Sequence, residues 1–121
     1  MASPFLEIIF VPLAYLVGCL NFGYYLVKRS AGKDIRSSFS GNAGATNAGR
    51  ILGKKGFAYV FAGDFIKGLL VLLIAHFLHF NELIQLISIA ACVLGHIYPM
   101  QLHFRGGKGL STLAGCVLGY D

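Results

Sequence analysis

Three long apolar runs, separated by short polar or basic stretches, set the plan of this chain. Ile8 to Val27 contains no charged side chain, Phe57 to Phe80 contains only Asp64 and Lys67, and Leu83 to Phe104 contains no Lys, Arg, Asp or Glu. At about 1.5 Å of rise per residue, a helix of roughly 20 residues spans the ~30 Å hydrocarbon core of a bilayer. Each of the three runs reaches that length. A fourth run, Leu110 to Tyr120, is only about half as long. The pattern predicts an all-α integral membrane protein with three complete transmembrane helices, at 8–27, 57–80 and 83–104, plus the start of a fourth. Residues 28–56 and 105–109 are the predicted loops. Residues 1–121 read as a single membrane domain, incomplete at its C-terminal end. No basic segment precedes the first run and no small-residue cleavage site follows it, which argues against a removable signal peptide.

Polar and small residues inside the runs carry further expectations. Pro12 is placed to kink the first span, and Asn21, its one strongly polar side chain, is expected to face protein. Ala14 with Gly18, and Ala91 with Gly95, are small pairs four residues apart that permit close helix approach and mark faces where further helices would pack. Asp64 and Lys67 lie three residues apart and share a helix face, either as functional groups at membrane depth or as a structural lock. His76 and His79 are expected at the interface. His96 is a lone intramembrane histidine, more often a packing residue than a catalyst. Pro99 is expected to end or bend the third span.

Composition supports a membrane setting. Hydrophobic residues make up 56% of the chain and charged residues 12%, against roughly 25% charged in soluble domains. Cys19, Cys92 and Cys116 are far apart, lie in apolar runs and form no metal-binding spacing, so they read as small buried residues. The net charge is +5. Of ten Lys and Arg, seven lie in 28–55 (Lys28, Arg29, Lys33, Arg36, Arg50, Lys54, Lys55), two in 105–109, and Lys67 inside a span. This distribution is not the long solvated stripe of a nucleic-acid binder, and no nucleic-acid partner is expected. By the positive-inside rule the N-terminus lies outside and both cationic loops lie in the cytoplasm, on one face of the bundle.

Those loops hold the candidate chemistry. Ser40-Gly41-Asn42-Ala43-Gly44-Ala45-Thr46-Asn47-Ala48-Gly49-Arg50 is small, polar and glycine-rich. Its composition suits a nest of N–H and hydroxyl donors around a phosphate, with Arg50 supplying a planar fork. It also suits a flexible linker between two spans. It contains no Asp, Glu, Cys or His, which argues against a metal site or a self-contained acid–base pair. Arg105-Gly106-Gly107-Lys108-Gly109 is a second cationic glycine loop that does not fit the Walker A spacing. Taken alone, it equally suits an ordinary basic turn at a membrane surface. Two such loops beside a lipid-accessible wall fit one or two anions, one of them with a fatty chain.

In this order and separation, Ser40-Gly41-Asn42-x-Gly44-Ala45-Thr46-Asn47 and Gly95-His96-x-x-Pro99 leading to Arg105-Gly106-Gly107-Lys108-Gly109 resemble the bacterial acyl-phosphate:glycerol-3-phosphate acyltransferase (PlsY) family. Lys33-Asp34-Ile35-Arg36, Arg50-x-Leu52-Gly53-Lys54-Lys55 and Asp64-x-x-Lys67-Gly68 add to the resemblance, which covers roughly residues 13–120. It implies the N-terminal part of a seven-helix bundle in the bacterial cytoplasmic (inner) membrane. The implied reaction moves a fatty acyl group from acyl phosphate to glycerol 3-phosphate, giving lysophosphatidic acid and phosphate, the first acylation step of phospholipid synthesis. No metal or organic cofactor is implied. By resemblance, Ser40, Arg50 and Lys108 are the catalytic candidates, with Ser40 assigned to phosphate binding rather than to an acyl-enzyme. Gly41, Asn42, Gly44, Ala45, Thr46, Asn47, Gly106, Gly107 and His96 are the substrate-binding candidates. The glycerol phosphate itself is implied as a possible base.

Two departures stand out: Cys19-Leu20-Asn21 where the family usually has Ser-Ile-Pro, and Phe39 where it has Gly. The first bears on how the first helix ends, the second on the room beside Ser40. The family's third motif, with His and Asn, falls beyond Asp121. The alternatives are a truncated, inactive homologue that binds phosphate or lipid, and a small membrane transporter or structural subunit. Membrane lipid, self-association and a missing C-terminal segment are the other partners to expect.

Overall fold

A computed structural model describes residues 3–120. Among the described residues all regular structure is helical: α1 (Pro4–Gly18), α2 (Phe22–Ala31), α3 (Ala45–Leu52), α4 (Lys54–Phe77), α5 (Glu82–Ile97) and α6 (Leu110–Tyr120), with 3₁₀ turns at Ile35–Ser37 and Met100–Leu102. Three segments are long and apolar enough to cross a bilayer: Pro4–Ala31, Lys54–Phe77 and Glu82–Leu102. The chain is a multi-pass membrane protein, and large apolar side chains such as Ile8, Leu70, Leu83 and Val117 line its outer faces.

The first span departs from the expected continuous helix over 8–27. It breaks at Cys19–Asn21, and its second half continues into the basic stretch as far as Ala31. Asn21 is the local cause. Its side chain prefers to cap a helix start over sitting in a helix interior, and its Oδ1 accepts from the Tyr24 N–H at 3.4 Å. A break at membrane depth leaves carbonyls that lipid cannot satisfy. Here each finds a donor: Lys67 Nζ reaches the Gly18 and Leu20 oxygens at 2.9 and 2.8 Å, and Gln101 Nε2 reaches the Cys19 oxygen at 2.7 Å. Asn21 is itself fully buried and donates to the His96 carbonyl at 3.4 Å.

Close packing follows the small residues. A methyl group at Gly18 would stand 2.0 Å from the Cys92 oxygen, and one at Gly95 would stand 2.1 Å from the Tyr15 oxygen. The Ala14/Gly18 and Ala91/Gly95 faces are therefore not left open for additional helices; α1 and α5 use them against each other. Likewise α4 meets α6 where a Cβ at Gly68 or Gly115 would strike the Thr112 or Phe65 oxygen, at 2.2 and 1.9 Å. One apolar core lies within the spans, around Ala14, Val71, Leu72, Cys92 and Cys116. All three cysteines are free and buried.

A second core lies at the basic end. Val27, Ile35, Ala43, Ala45, Ala48 and Val60 close a small apolar cluster under the glycine-rich segment. Residues 28–56 are consequently not a plain loop. They contain the end of α2, a 3₁₀ turn, the short helix α3 and the first turn of α4. The second span starts at Lys54 and stops at Phe77, earlier than expected, and the third helix gives way at Tyr98, just before Pro99, to a 3₁₀ turn. The residue before a proline is pushed out of helical geometry, which accounts for the latter.

Candidate active site

The two basic segments meet over one cavity of about 400 Å³. From the first come Ser40, Asn42, Gly44, Ala45, Thr46 and Arg50; from the second come Lys108, Gly109, Leu110 and Ser111. Phe57, Phe61 and Asp64 of α4 form a wall, and His96 of α5 closes the inner end. Phe57, Phe61 and Phe65 stack in sequence along α4, with successive ring centroids 6.0 Å apart. The cavity therefore has a cationic, hydroxyl-bearing side and an aromatic side that runs into the apolar zone.

The backbone donors are not those the glycine spacing suggests. The Gly41 N–H donates to the Ser38 oxygen at 2.9 Å, the Asn42 N–H to Ser40 Oγ at 3.3 Å, and the Gly44 N–H to Asn42 Oδ1 at 2.8 Å. The loop thus spends its own amides on holding its shape. What it delivers is the start of α3. Gly44 is the N-cap and offers no side-chain cap, so the first-turn N–H groups lack intrahelical partners, and Gly44, Ala45 and Thr46 at this helix start line the cavity. A helix start of this kind, with a partial positive charge, suits an anion. Ser40 Oγ accepts from the Asn42 amide and keeps its own proton to donate.

Asn47, expected to bind substrate, does not line the cavity. It is 1% exposed, and its Nδ2 donates to the oxygens of Ile35, Ser38 and Asn42 at 3.0, 3.0 and 2.9 Å. It staples the segment from inside. Gly41, Gly106 and Gly107 are also absent from the lining. The Gly106 and Gly107 amides donate to the Ile97 and His96 oxygens at 2.8 and 3.1 Å, closing the end of α5. Their glycine identity answers crowding: a Cβ would stand 1.9 Å from the His96 oxygen at Gly106 and 2.4 Å from His96 Nε2 at Gly107.

Two cations in the cavity stand without a carboxylate. Among the described residues, neither Arg50 nor Lys108 has an ion-pair partner. Asp64, on the same lining, belongs instead to an inner cluster. Lys67 Nζ lies 3.2 Å from Asp64 Oδ1 and 2.8 Å from His96 Nδ1, and the three side chains are almost fully buried. An ammonium donating to Nδ1 leaves the ring proton on Nε2. Both groups with base chemistry are thereby engaged by Lys67, which at the same time holds the broken first span. Sequence reasoning left the role of this pair open and missed Phe57 and Phe61; ionisable groups three apart at membrane depth were the signal for the former.

A family model described as glycerol-3-phosphate acyltransferase matches residues 8–121. The chain belongs to this family. It is 46% identical over 110 residues to glycerol-3-phosphate acyltransferase 1 of Desulfitobacterium hafniense (strain Y51), covering 89% of this chain and 54% of that protein. It is 48% identical over 106 residues to the glycerol-3-phosphate acyltransferase of Thermoanaerobacter pseudethanolicus, covering 88% and 53%. The fold is similar to the crystal structure of PlsY (YgiH), an integral membrane glycerol 3-phosphate acyltransferase, in its glycerol 3-phosphate form. The TM-score is 0.86 at 41% identity, over 95% of this chain and 57% of that one. The lysophosphatidic acid form of the same enzyme gives a TM-score of 0.79 at 38% identity. The chain spans about half the length of the curated relatives it matches.

Proposed function

We infer that this chain carries the phosphate-handling half of an enzyme that acylates glycerol 3-phosphate from an acyl phosphate. The observation that supports this most directly is the pairing of Arg50 and Lys108, both without a carboxylate partner among the described residues, in a single cavity with Ser40 and an uncapped helix start. Both substrates are phosphate esters or anhydrides, and their mutual repulsion is the first obstacle. Two cations and aimed N–H groups offset it and orient the acceptor hydroxyl against the acyl carbon. The hydroxyl oxygen then bonds to that carbon while the carbon–oxygen bond to phosphate breaks, and phosphate leaves carrying the electron pair. The acceptor's proton passes to a phosphate oxygen, so the substrate serves as its own base. Ser40 holds phosphate through its hydroxyl. The Phe57–Phe61–Phe65 side receives the fatty chain.

The enzyme sits in the bacterial inner membrane with its N-terminus outside and the cavity facing the cytoplasm, an orientation supported by the concentration of cationic residues at that end. The test is release of lysophosphatidic acid from palmitoyl phosphate and radiolabelled glycerol 3-phosphate by the natural full-length protein in lipid. Product formation is expected; tight phosphate binding without product would favour a binding module instead.

A further inference from the structure

Arg36 lies outside the cavity yet joins the two segments that build it. Its Nη1 donates to the oxygens of Leu102 at 2.6 Å and Arg105 at 3.1 Å, on the stretch leading into Lys108. Among the described residues, every hydrogen bond between residues 32–52 and 99–109 is made by this side chain. The guanidinium is itself fixed. Nε lies 3.0 and 3.2 Å from the two Asp34 carboxylate oxygens, Nη2 lies 2.7 Å from Oδ2, and Asp34 Oδ1 also accepts the Arg36 N–H at 2.9 Å. The Tyr24 ring covers one face, 5.1 Å from centroid to Cζ. Only 11% of the side chain is exposed.

The backbone around Arg36 is bound just as firmly to the first segment. Asn47 donates to the oxygens of Ile35 and Ser38, on either side of it, and to Asn42 in the glycine loop. A chain of hydrogen bonds therefore runs from the Lys108 loop through Arg36 and Asn47 to Ser40 and the start of α3.

We propose that Arg36, held by Asp34, is a positioning residue that fixes Lys108 relative to Ser40 and Arg50 and so sets the width of the anion cavity. The proposal rests on the acyltransferase reading for the identity of the substrates, but not for the geometry. The site uses a planar fork whose Nε and Nη2 meet Asp34 while Nη1 meets the two carbonyls; a lysine gathers its three donors on one nitrogen and does not reproduce that spread of contacts.

The test uses the natural full-length protein in lipid nanodiscs with spin labels on Lys33→Cys and Phe104→Cys, both exposed, while Cys19, Cys92 and Cys116 are buried. In Arg36→Lys the inter-label distance distribution is expected to broaden beyond the scatter of repeat preparations. The Kd for inorganic phosphate should rise at least about tenfold, or ~1.4 kcal/mol. The KM for glycerol 3-phosphate should rise with it while kcat changes less than about threefold; a reduced folded fraction would instead lower kcat and leave KM unchanged. Unchanged distances or an unchanged phosphate Kd in folded Arg36→Lys overturns the proposal. If that variant does not fold, Asp34→Asn, which keeps the Nη1 donors, should move both readouts the same way by less; no movement overturns it equally. A wild type that binds phosphate but makes no product would defeat the acyltransferase reading and leave the positioning role to the distance and phosphate measurements.

Discussion

Removing the Lys108 ammonium takes away one of two cations that line the cavity and have no carboxylate partner among the described residues. Lys108→Ala in the full-length protein should lower kcat/KM at least about tenfold, which is only ~1.4 kcal/mol of transition-state stabilisation; near-normal turnover would remove Lys108 from the mechanism. Asp34 makes a second residue-level prediction. The hydrogen bond from Arg36 holds its carboxyl below the ordinary value of 3.8, and the same pairing raises the guanidinium. A depressed carboxylate pKa adds stability that is present above the unfolded value and is lost as pH falls through the folded one. The melting difference between wild type and Asp34→Asn should therefore be full above about pH 4 and shrink on acidification below it. A difference independent of pH would show that the pair contributes nothing through charge. At this scale the sequence was informative about which residues gather and silent about which atoms are already used. The two cationic, glycine-rich stretches brought Arg50 and Lys108 to notice, and the family resemblance singled out Ser40 with them. Neither could reveal that the Asn47 amide and the Gly106 and Gly107 N–H groups are consumed by backbone carbonyls, because those acceptors come from turns that only tertiary packing creates.

The elements were legible where one physical length governs them. Hydrocarbon thickness fixes how long an apolar run must be, and the second and third spans follow with ends shifted by a few residues. The break in the first span hung on the single polar residue Asn21 in an otherwise apolar stretch, too small a signal against the run. The short α3 was hidden because Gly, Asn and Thr disfavour helix; it forms by packing Ala45 and Ala48 into the cluster with Val60. Element packing yields its own prediction. At Gly115 an added Cβ would meet the Phe65 carbonyl, a backbone atom that cannot swing aside. Gly115→Ala should force α6 off α4 and lower stability by about 1–3 kcal/mol, read as a lower Tm in detergent. Gly32, with an αL conformation and no atom within 4 Å of an added methyl, offers a contrast in which only backbone strain is felt. Equal losses at both positions would argue against helix contact as the cause.

For the molecule as a whole, charge asymmetry predicts sidedness. A cysteine at exposed Ser37 should react with impermeant thiol reagents only from the cytoplasmic side of intact cells, whereas labelling from outside would invert the proposed topology. The 121-residue chain in isolation should turn over at less than about a tenth of the rate of a complete relative. The chain spans about half the length of its curated relatives, and a site whose supporting helices are loose loses near-attack geometry. A rate within tenfold of a complete relative in lipid would make this half a sufficient enzyme.

The broken first span also sets a timetable for synthesis. Lys67, which satisfies the Leu20 carbonyl, is made 47 residues later, and Gln101, which satisfies that of Cys19, 82 residues later. At roughly 5–20 residues per second of translation, those carbonyls wait on the order of several seconds after leaving the ribosome. During that interval the nascent first span must shelter its bare peptide groups in water or against the insertion machinery, since acyl chains offer no donor. Final seating of the first span in the bilayer is therefore an event that the third span completes, and ribosome-stalled chains ending before Lys67 should remain crosslinkable to the insertion channel while those carrying all three spans are released from it.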